Sequence, residues 1–345
     1  MPRRLGRVYE DRVLPRRPIF LDHLLDDPTL VRTLVERHAP YWPVQRYFAS
    51  AEEMRALSDT AERNGRPDAG TGMVVGPVFR GDWAYDRPLV DGVGPLLRHA
   101  ALIDAARRLF EAVVVRPQIL YVNLTLPMPC GDGGHTDIPA FRGVDRTTVP
   151  VWLLVTMGRS GLFERWRVRI ATAVAWFYEG EGGALTYWPD GPDAPPTSVP
   201  PRTNTALMGD NDVMFHRVEA VGGAEAEMVR GLTLDSQLAF AGAGHWEVRD
   251  GGQVLGSWPA SRVRVSLSWK GVVFRDAEEA RVHDDHRDDL TLPIVLDALR
   301  ADLAARGSEV PVPADPLHDP RFVTALSRAY HRAPTVYPWG RADSA

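Results

Sequence analysis

The sequence predicts a mainly β protein with helical extensions, an antiparallel sandwich or barrel buttressed by helices. Three observations predict it. The apolar period switches from helical to alternating near residue 117 and back after Arg275. The alternating segments are short and separated by Gly, Pro, Asn and Asp. Finally, 345 residues at 44% hydrophobic and 25% charged have the composition of an ordinary globular chain. Length and pattern together divide it into a helical extension over residues 1–116, a β core over 117–275 and a second helical extension over 276–345.

In the first part, Leu30, Val31, Leu34 and Val35 recur at helical spacing and the run ends before Pro40. Ser50-Ala-Glu-Glu53 is a capping-box signature that opens a second helix. Residues 100–114 predict a third, with Leu102, Ile103, Ala106, Leu109 and Phe110 on one face. Strands are expected at 119–126 and 170–178, and shorter ones at 184–188, 203–208 and 212–218. Residues 246–255 predict a hairpin turning at Asp250-Gly251. Val263, Val265 and Leu267 then alternate with Arg264, Ser266 and Ser268, a clean period of two. Helical patterns return near 293–305 and 321–332, and no internal repeat or low-complexity tract interrupts the chain.

The basic residues exclude more than they suggest. All but one of the 40 are arginine, a compositional bias, and the formal net charge of -5 argues against a nucleic-acid footprint. The one lysine, Lys270, lies in Trp269-Lys270-Gly271, so no Walker A loop exists, and a pyridoxal enzyme or kinase would rest on that residue alone. A single cysteine, Cys130, rules out an internal disulfide and a zinc site built on several thiolates. The longest apolar run, 149–157, is far short of the ~20 residues of a membrane span. Met1-Pro-Arg-Arg is followed by no apolar stretch of the kind a signal peptide carries. The expectation is a cytoplasmic protein acting on a small molecule, with neither nucleic acid nor membrane as partner.

His135-Thr-Asp137 is the first chemical candidate, because residues i and i+2 leave a strand on one face and can reach one metal ion. A distant third histidine completes the two-histidine, one-carboxylate triad that leaves iron positions open. The pattern His-x-Asp recurs at His283/Asp285 and His286/Asp288, with His245-Trp-Glu247 a near miss. Those at 283–288 sit in a charged run without apolar alternation and read as a solvated connection. His135 instead follows a strand and the tight Gly131-Asp-Gly-Gly134 loop, which lacks the lysine of a phosphate cradle. His216 lies inside the apolar segment Asp212-Val-Met-Phe-His-Arg-Val218, where a core histidine is the plain alternative. Arg264 and Ser266 share one strand face and offer a planar fork and a hydroxyl to a carboxylate. Trp152, Trp166, Trp176, Phe177, Tyr187 and Trp188 read as core aromatics, with a substrate pocket as the alternative. Arg165, Arg167 and Arg169 read as a solvated face, with an acidic substrate as the alternative.

The segment Asn123-Leu-Thr-Leu-Pro-Met-Pro-Cys-Gly-Asp-Gly-Gly-His-Thr-Asp137 resembles the metal-binding stretch of the Fe(II)/2-oxoglutarate-dependent oxygenases, above all the branch of isopenicillin N synthase and the plant hydroxylases. Asn204-Thr-Ala-Leu-Met-Gly-Asp-Asn-Asp-Val-Met-Phe-His-Arg-Val218 is similar to that superfamily's strand with the distal histidine, and Arg264-Val-Ser266 to its Arg-x-Ser strand. The resemblance covers about residues 117–275. It implies a double-stranded β-helix (jelly-roll) core and Fe(II) held by His135, Asp137 and His216. It further implies 2-oxoglutarate, a cosubstrate with O2, held by Arg264 and Ser266 with Asn123 beside them. In such enzymes the cosubstrate is decarboxylated to succinate and CO2 while an unactivated C–H bond is oxidised, usually hydroxylated. Retention of Asp137 argues against the halogenase variant.

Arg264 follows His216 by 48 residues, more than in the family, so residues 220–260 are expected as an insertion and mobile cover, jointed at Gly222-Gly223 and Ala241-Gly-Ala-Gly244. Thr125 stands where the family commonly has tyrosine, and Arg262 shares the Arg264 face as an alternative carboxylate ligand. Two other readings stay open. One is an oxidase like isopenicillin N synthase, with Arg264 and Ser266 on the substrate's own carboxylate. The other is a non-catalytic jelly-roll binding protein whose His and Asp serve structural hydrogen bonds.

Overall fold

The computed structural model describes residues 14–47, 75–223, 225–308, 310–330 and 334. Its strands in chain order are β1 (Ile19–Leu21), β2 (Trp42–Pro43), β3 (Val78–Tyr85), β4 (Arg87–Pro88), β5 (Val114–Thr125), β6 (Ala140–Phe141), β7 (Arg167–Phe177) and β8 (Leu185–Tyr187). They continue with β9 (Thr197–Val199), β10 (Thr205–Gly209), β11 (His216–Val218), β12 (Gln237–Gly242), β13 (His245–Asp250), β14 (Gln253–Pro259) and β15 (Arg264–Phe274). A nine-stranded antiparallel sheet runs β1-β10-β7-β15-β5-β3-β2, with β4 on β3 and β6 on β7. A small sheet, β11-β8-β9, and a meander, β12-β13-β14, complete the β structure. A large and a small antiparallel sheet with helices at both ends match the mainly β, jelly-roll architecture expected.

β15 explains the layering. Its alternation puts Val263, Leu267, Trp269 and Val273 into one large core with Leu120, Val122 and Leu124 of β5 and Ala173 and Ala175 of β7. The helices Thr29–Arg37 and Ala100–Phe110 cover that core with Val31, Leu34, Val35, Leu102, Ala106 and Leu109. Trp269, 1% exposed, donates its indole N–H to the Leu97 carbonyl at 2.7 Å, so its burial leaves no polar atom unpaired. The other face of β15 carries Arg264, Ser266, Ser268 and Lys270 toward the small sheet's side. A second core joins the helices Val151–Ser160, Leu292–Ala305 and Pro320–Ala329 through Leu153, Met157, Val295, Leu299, Phe322 and Leu326.

Several boundaries differ from expectation. The third helix ends at Phe110, because Glu111 adopts a left-handed cap at φ 53 and the β-branched Val113 to Val115 suit the strand that follows. The expected strand at 212–218 is strand only over β11, since Val213 and Met214 bond back to the Asp210 carbonyl in a turn. The charged run near His283 begins as the helix Ala277–Asp284, capped by Asp276 accepting from Glu279 N at 2.8 Å. The Ser50 capping box lies outside the described residues.

The cover expected from 220–260 is instead a packed meander. Leu238, Trp246 and Val248 of β12 and β13 enter the main core, and Leu238 pairs with Tyr41 beside β2. The joint expected at residues 241–244 is the turn between β12 and β13, with Gly242 and Gly244 at positive φ. Trp246 sets against Tyr41 and Phe240, ring centroids 6.1 and 5.2 Å away. Trp246→Ala is accordingly expected to cost about 3–5 kcal/mol in denaturant unfolding. The β12 and β13 amides should exchange slowly in ligand-free protein, whereas a loose flap would exchange fast and tolerate the truncation.

Candidate metal centre

Two glycines bring the candidate ligands together. The loop before His135 lies along β11, with Asp132 N on the Val218 carbonyl at 2.9 Å. A Cβ at Gly131 would stand 2.5 Å from the Val218 carbonyl oxygen, and one at Gly134, which has φ +71, 2.6 Å from the Phe215 ring. Only glycine permits that approach. The loop then closes on reciprocal backbone hydrogen bonds, His135 N to His216 O at 2.8 Å and His216 N to His135 O at 2.9 Å. The two rings meet at a tilt of 56°, centroids 4.7 Å apart. Asp137 is fixed next, its N–H donating to Asn211 O at 2.8 Å in the turn preceding β11.

His135, Asp137 and His216 thus offer one ligand atom each, all within 4.8 Å of one another. Asp137 Oδ1 is 4.0 Å from both imidazole Nε2 atoms. The donor chemistry suits a divalent cation such as iron. His216 Nδ1 donates to the Met214 carbonyl at 2.9 Å, which leaves the Nε2 lone pair facing Asp137. Burial, then the neighbouring His135, lowers the His216 pKa against the pull of Asp137. Burial alone would raise the Asp137 pKa, yet Lys270, His216 and His135 together hold the carboxyl well below the usual range.

Lys270 is the participant that sequence reasoning missed. Its Nζ lies 2.6 Å from Asp137 Oδ2, and Thr172 Oγ1 donates to the same oxygen at 3.3 Å. Both anchor Oδ2 from the sheet and turn Oδ1 toward the histidines. The signal was strand parity, since 264, 266, 268 and 270 share one face.

Farther along that face, Arg264 is 2% exposed. Its Nε donates to Gly183 O at 2.9 Å and its Nη1 to Ser266 Oγ at 3.2 Å, while Nη2 is buried with no hydrogen-bond partner. Among the described residues no carboxylate forms a salt bridge with it. Burial brings its pKa down to about 10, against the pull of Asp132 and Tyr178, so it stays charged at neutral pH. Gly183, at φ +71, makes room, because a Cβ there would lie 2.5 Å from Arg264 Cδ. Arg262 is exposed in the 3-10 turn before β15. Asn123 stands opposite Ser266 on β5, its Oδ1 accepting from Arg80 Nε at 3.0 Å, and Thr125 stands buried opposite Arg264.

The remaining candidates lie elsewhere. His245, His283 and His286 are outside the triad, and His286 pairs with Asp289 at 2.8 Å. Arg167 is buried on Glu164 at 2.6 Å and Arg169 pairs with Glu279 at 3.0 Å, so both are engaged within the protein. Trp152, Trp176, Tyr187 and Trp188 are buried, as core aromatics should be.

No protein-family model matches the chain, and no curated protein matches it. Solved structures similar to it include an oxidoreductase of the 2OG-Fe(II) oxygenase family from Burkholderia pseudomallei, at 14% identity and TM-score 0.39, covering 75% of this chain and 87% of that one. A prolyl-4-hydroxylase from Pseudomonas putida gives 15% identity and TM-score 0.36 over 75% and 94% of the two chains. The non-heme alpha ketoglutarate dependent carbocyclase SnoK from nogalamycin biosynthesis gives 12% and 0.40 over 77% and 86%. No helix among the described residues is long and apolar enough to cross a membrane.

Two outcomes test the electrostatics. In metal-free protein Lys270 is the cation that Asp137 rests on, so Lys270→Met should lower stability by about 3 kcal/mol or more. Added Co(II) should shrink that deficit, as thermal unfolding with and without metal would show; an equal deficit in both states contradicts the arrangement. Asp210, in the turn before β11, is pushed up to about 6 by burial, against the pull of Arg167. Its carboxyl therefore holds a proton in the folded chain that the unfolded chain releases. Stability is full below about 4 and falls by roughly 3 kcal/mol as pH rises through about 6. Asp210→Asn should flatten that decline in unfolding curves taken across the range.

Proposed function

We propose that the chain is a mononuclear non-haem Fe(II), 2-oxoglutarate-dependent oxygenase that oxidises, most simply hydroxylates, a C–H bond of a small molecule. The observation that carries this reading is that one face of β15 holds both a buried arginine without an acid partner and, through Lys270, a carboxylate fixed beside two histidines. A buried cation without a counterion is costly, and a dicarboxylate cosubstrate would supply the missing charge.

On this reading His135, Asp137 and His216 hold the iron. The iron when bound would supply open positions for 2-oxoglutarate and O2, and the oxidation that couples succinate and CO2 release to attack on the substrate. The protein's residues do the rest. Arg264 and Ser266 bind the distal carboxylate, and Gly183 O holds the guanidinium in place. Asn123, opposite Ser266, borders the cosubstrate and orients through Arg80. The buried surround keeps water from these charges, which strengthens each pairing. Lys270 and Thr172 hold Asp137 Oδ2 so that the carboxylate presents a single oxygen. Residues 117–275 form the catalytic unit, flanked by the two helical extensions, and the exposed thiol of Cys130 suits a reducing, cytoplasmic compartment.

Anaerobic protein titrated with Fe(II) and then 2-oxoglutarate should bind both, and oxygen should yield succinate. Arg264→Met should raise the cosubstrate's Kd about thirtyfold to several thousandfold while sparing iron, the range expected for truncating a buried charge pair. His216→Ala should instead weaken iron. Iron without succinate, and an Arg264→Met variant that binds 2-oxoglutarate normally, would point to an oxidase; no stoichiometric iron would point to a binding protein.

A further inference from the structure

The inner face of the large sheet continues past β15 onto β5 and β3. Tyr121 stands opposite Ser268, and Asp82 opposite Tyr121. At about 4.8 Å per strand, this row places Asp82 about 10 Å from the β15 face that carries Ser266 and Lys270.

The row is polar and incompletely paired, running from buried Tyr121 through half-buried Asp82 and Arg80 to exposed Tyr85. Arg80 shares its strand face with Asp82 but, among the described residues, makes no hydrogen bond or salt bridge with it. Its guanidinium lies 4.6 Å from the Tyr121 ring centroid and its Nε bonds Asn123. Asp82 Oδ1 is buried and has no hydrogen-bond partner. The Tyr85 and Tyr121 hydroxyls meet at 2.5 Å, with ring centroids 5.7 Å apart. Arg146, exposed on the loop after β6, is close enough to act on Asp82, Tyr85 and Tyr121, and forms no salt bridge among the described residues. Burial raises the Asp82 pKa while Arg80 and Arg146 oppose it.

We infer that this row is the substrate's charged-group subsite and takes the zwitterionic end of an α-amino acid, its ammonium on Asp82 and its carboxylate on Arg146 and Arg80. The inference rests on the proposed function and names its substrate class. Charge selects the ligand. A simple carboxylate would leave Asp82 Oδ1 without a donor and add repulsion, and a simple amine would face two arginines. A zwitterion answers both. Tyr85 and Tyr121 flank the site, and the ligand's side chain runs along the row toward the metal centre, where the His135 side chain is 37% exposed.

The test titrates free L-amino acids, each with its N-acetyl and carboxamide forms, into anaerobic protein loaded with Fe(II) and 2-oxoglutarate, and reads binding calorimetrically. At least one free amino acid should bind, with both blocked forms about tenfold or more weaker. Asp82→Asn should weaken the free amino acid about tenfold to a hundredfold, the range for a hydrogen bond to a charged group, and leave the N-acetyl form unchanged. Arg146→Met, on an exposed loop where folding is not at stake, should weaken the free acid and not its carboxamide. The inference is overturned if 2-oxoglutarate binds but no free amino acid does at millimolar concentration. Blocked forms that bind equally well, or two variants without effect, overturn it too. Amino-acid binding without any 2-oxoglutarate binding would support the subsite and sink the oxygenase reading instead.

Discussion

The reciprocal backbone pairing of His135 with His216 is the constraint on which the candidate centre depends. Each of its two hydrogen bonds contributes only about 1 kcal/mol. Their effect is positional. They hold two imidazoles from distant segments at one level, and a third backbone bond, Asp137 N to Asn211 O, sets the carboxylate beside them. The ligand geometry is therefore a property of the main chain, and Gly131 and Gly134 matter because they permit the chains to touch. The loop's glycines serve close packing against Phe215 and Val218, which is why they resemble a phosphate cradle without being one.

β15 carries the second half of the design. It lies between β5 and β7, so its register is locked from both sides, Ser266 opposite Asn123 on one and Trp176 on the other. A slip of one residue would send Arg264 and Ser266 into the hydrophobic core and Val265 and Leu267 into the site. Burial of Leu267 and Trp269 thus enforces the placement of the polar face, and core packing and function are the same constraint seen from opposite sides of the strand. The β12–β14 meander adds to this through Trp246 and Leu238, on the core side of the sheet.

Much of this was legible because it follows local periods. The alternation at 263–268 announces which face holds Arg264, and the spacing of Val31, Leu34 and Val35 announces a helix. The approach of His135 to His216 was expected only through the order of motifs, since no local pattern encodes a bridge between segments eighty residues apart. Lys270 escaped notice because its partner, Asp137, is reached through the fold, and because a lone lysine reads first as an absence of other chemistry. The strand expected at 212–218 failed for a local reason: Asp210 and Asn211 favour a turn, and apolar Val213 and Met214 masked it. The meander was misread because glycines at hairpin turns and glycines at flexible joints look alike until the buried Trp246 is seen beside them.

The inner face also departs from the rule that buried polar groups are paired. Arg264 Nη2, Asp82 Oδ1 and both oxygens of Asp212 are buried without hydrogen-bond partners. Burial, with Asp137 nearby and against the pull of Lys270, raises the Asp212 pKa well above the usual carboxylate range. The outer face is mainly apolar, with Trp269 satisfied by Leu97 and one indole N–H, that of Trp83, left without a partner. Each unpaired buried group costs about 1–3 kcal/mol, more where it is charged. A chain of this size retains such costs only where something else repays them, and the helix-covered core opposite is large enough to carry them. The two faces of one sheet thus divide the work: the side against the helices supplies stability, and the side toward the candidate metal centre spends it on buried polar groups left without partners.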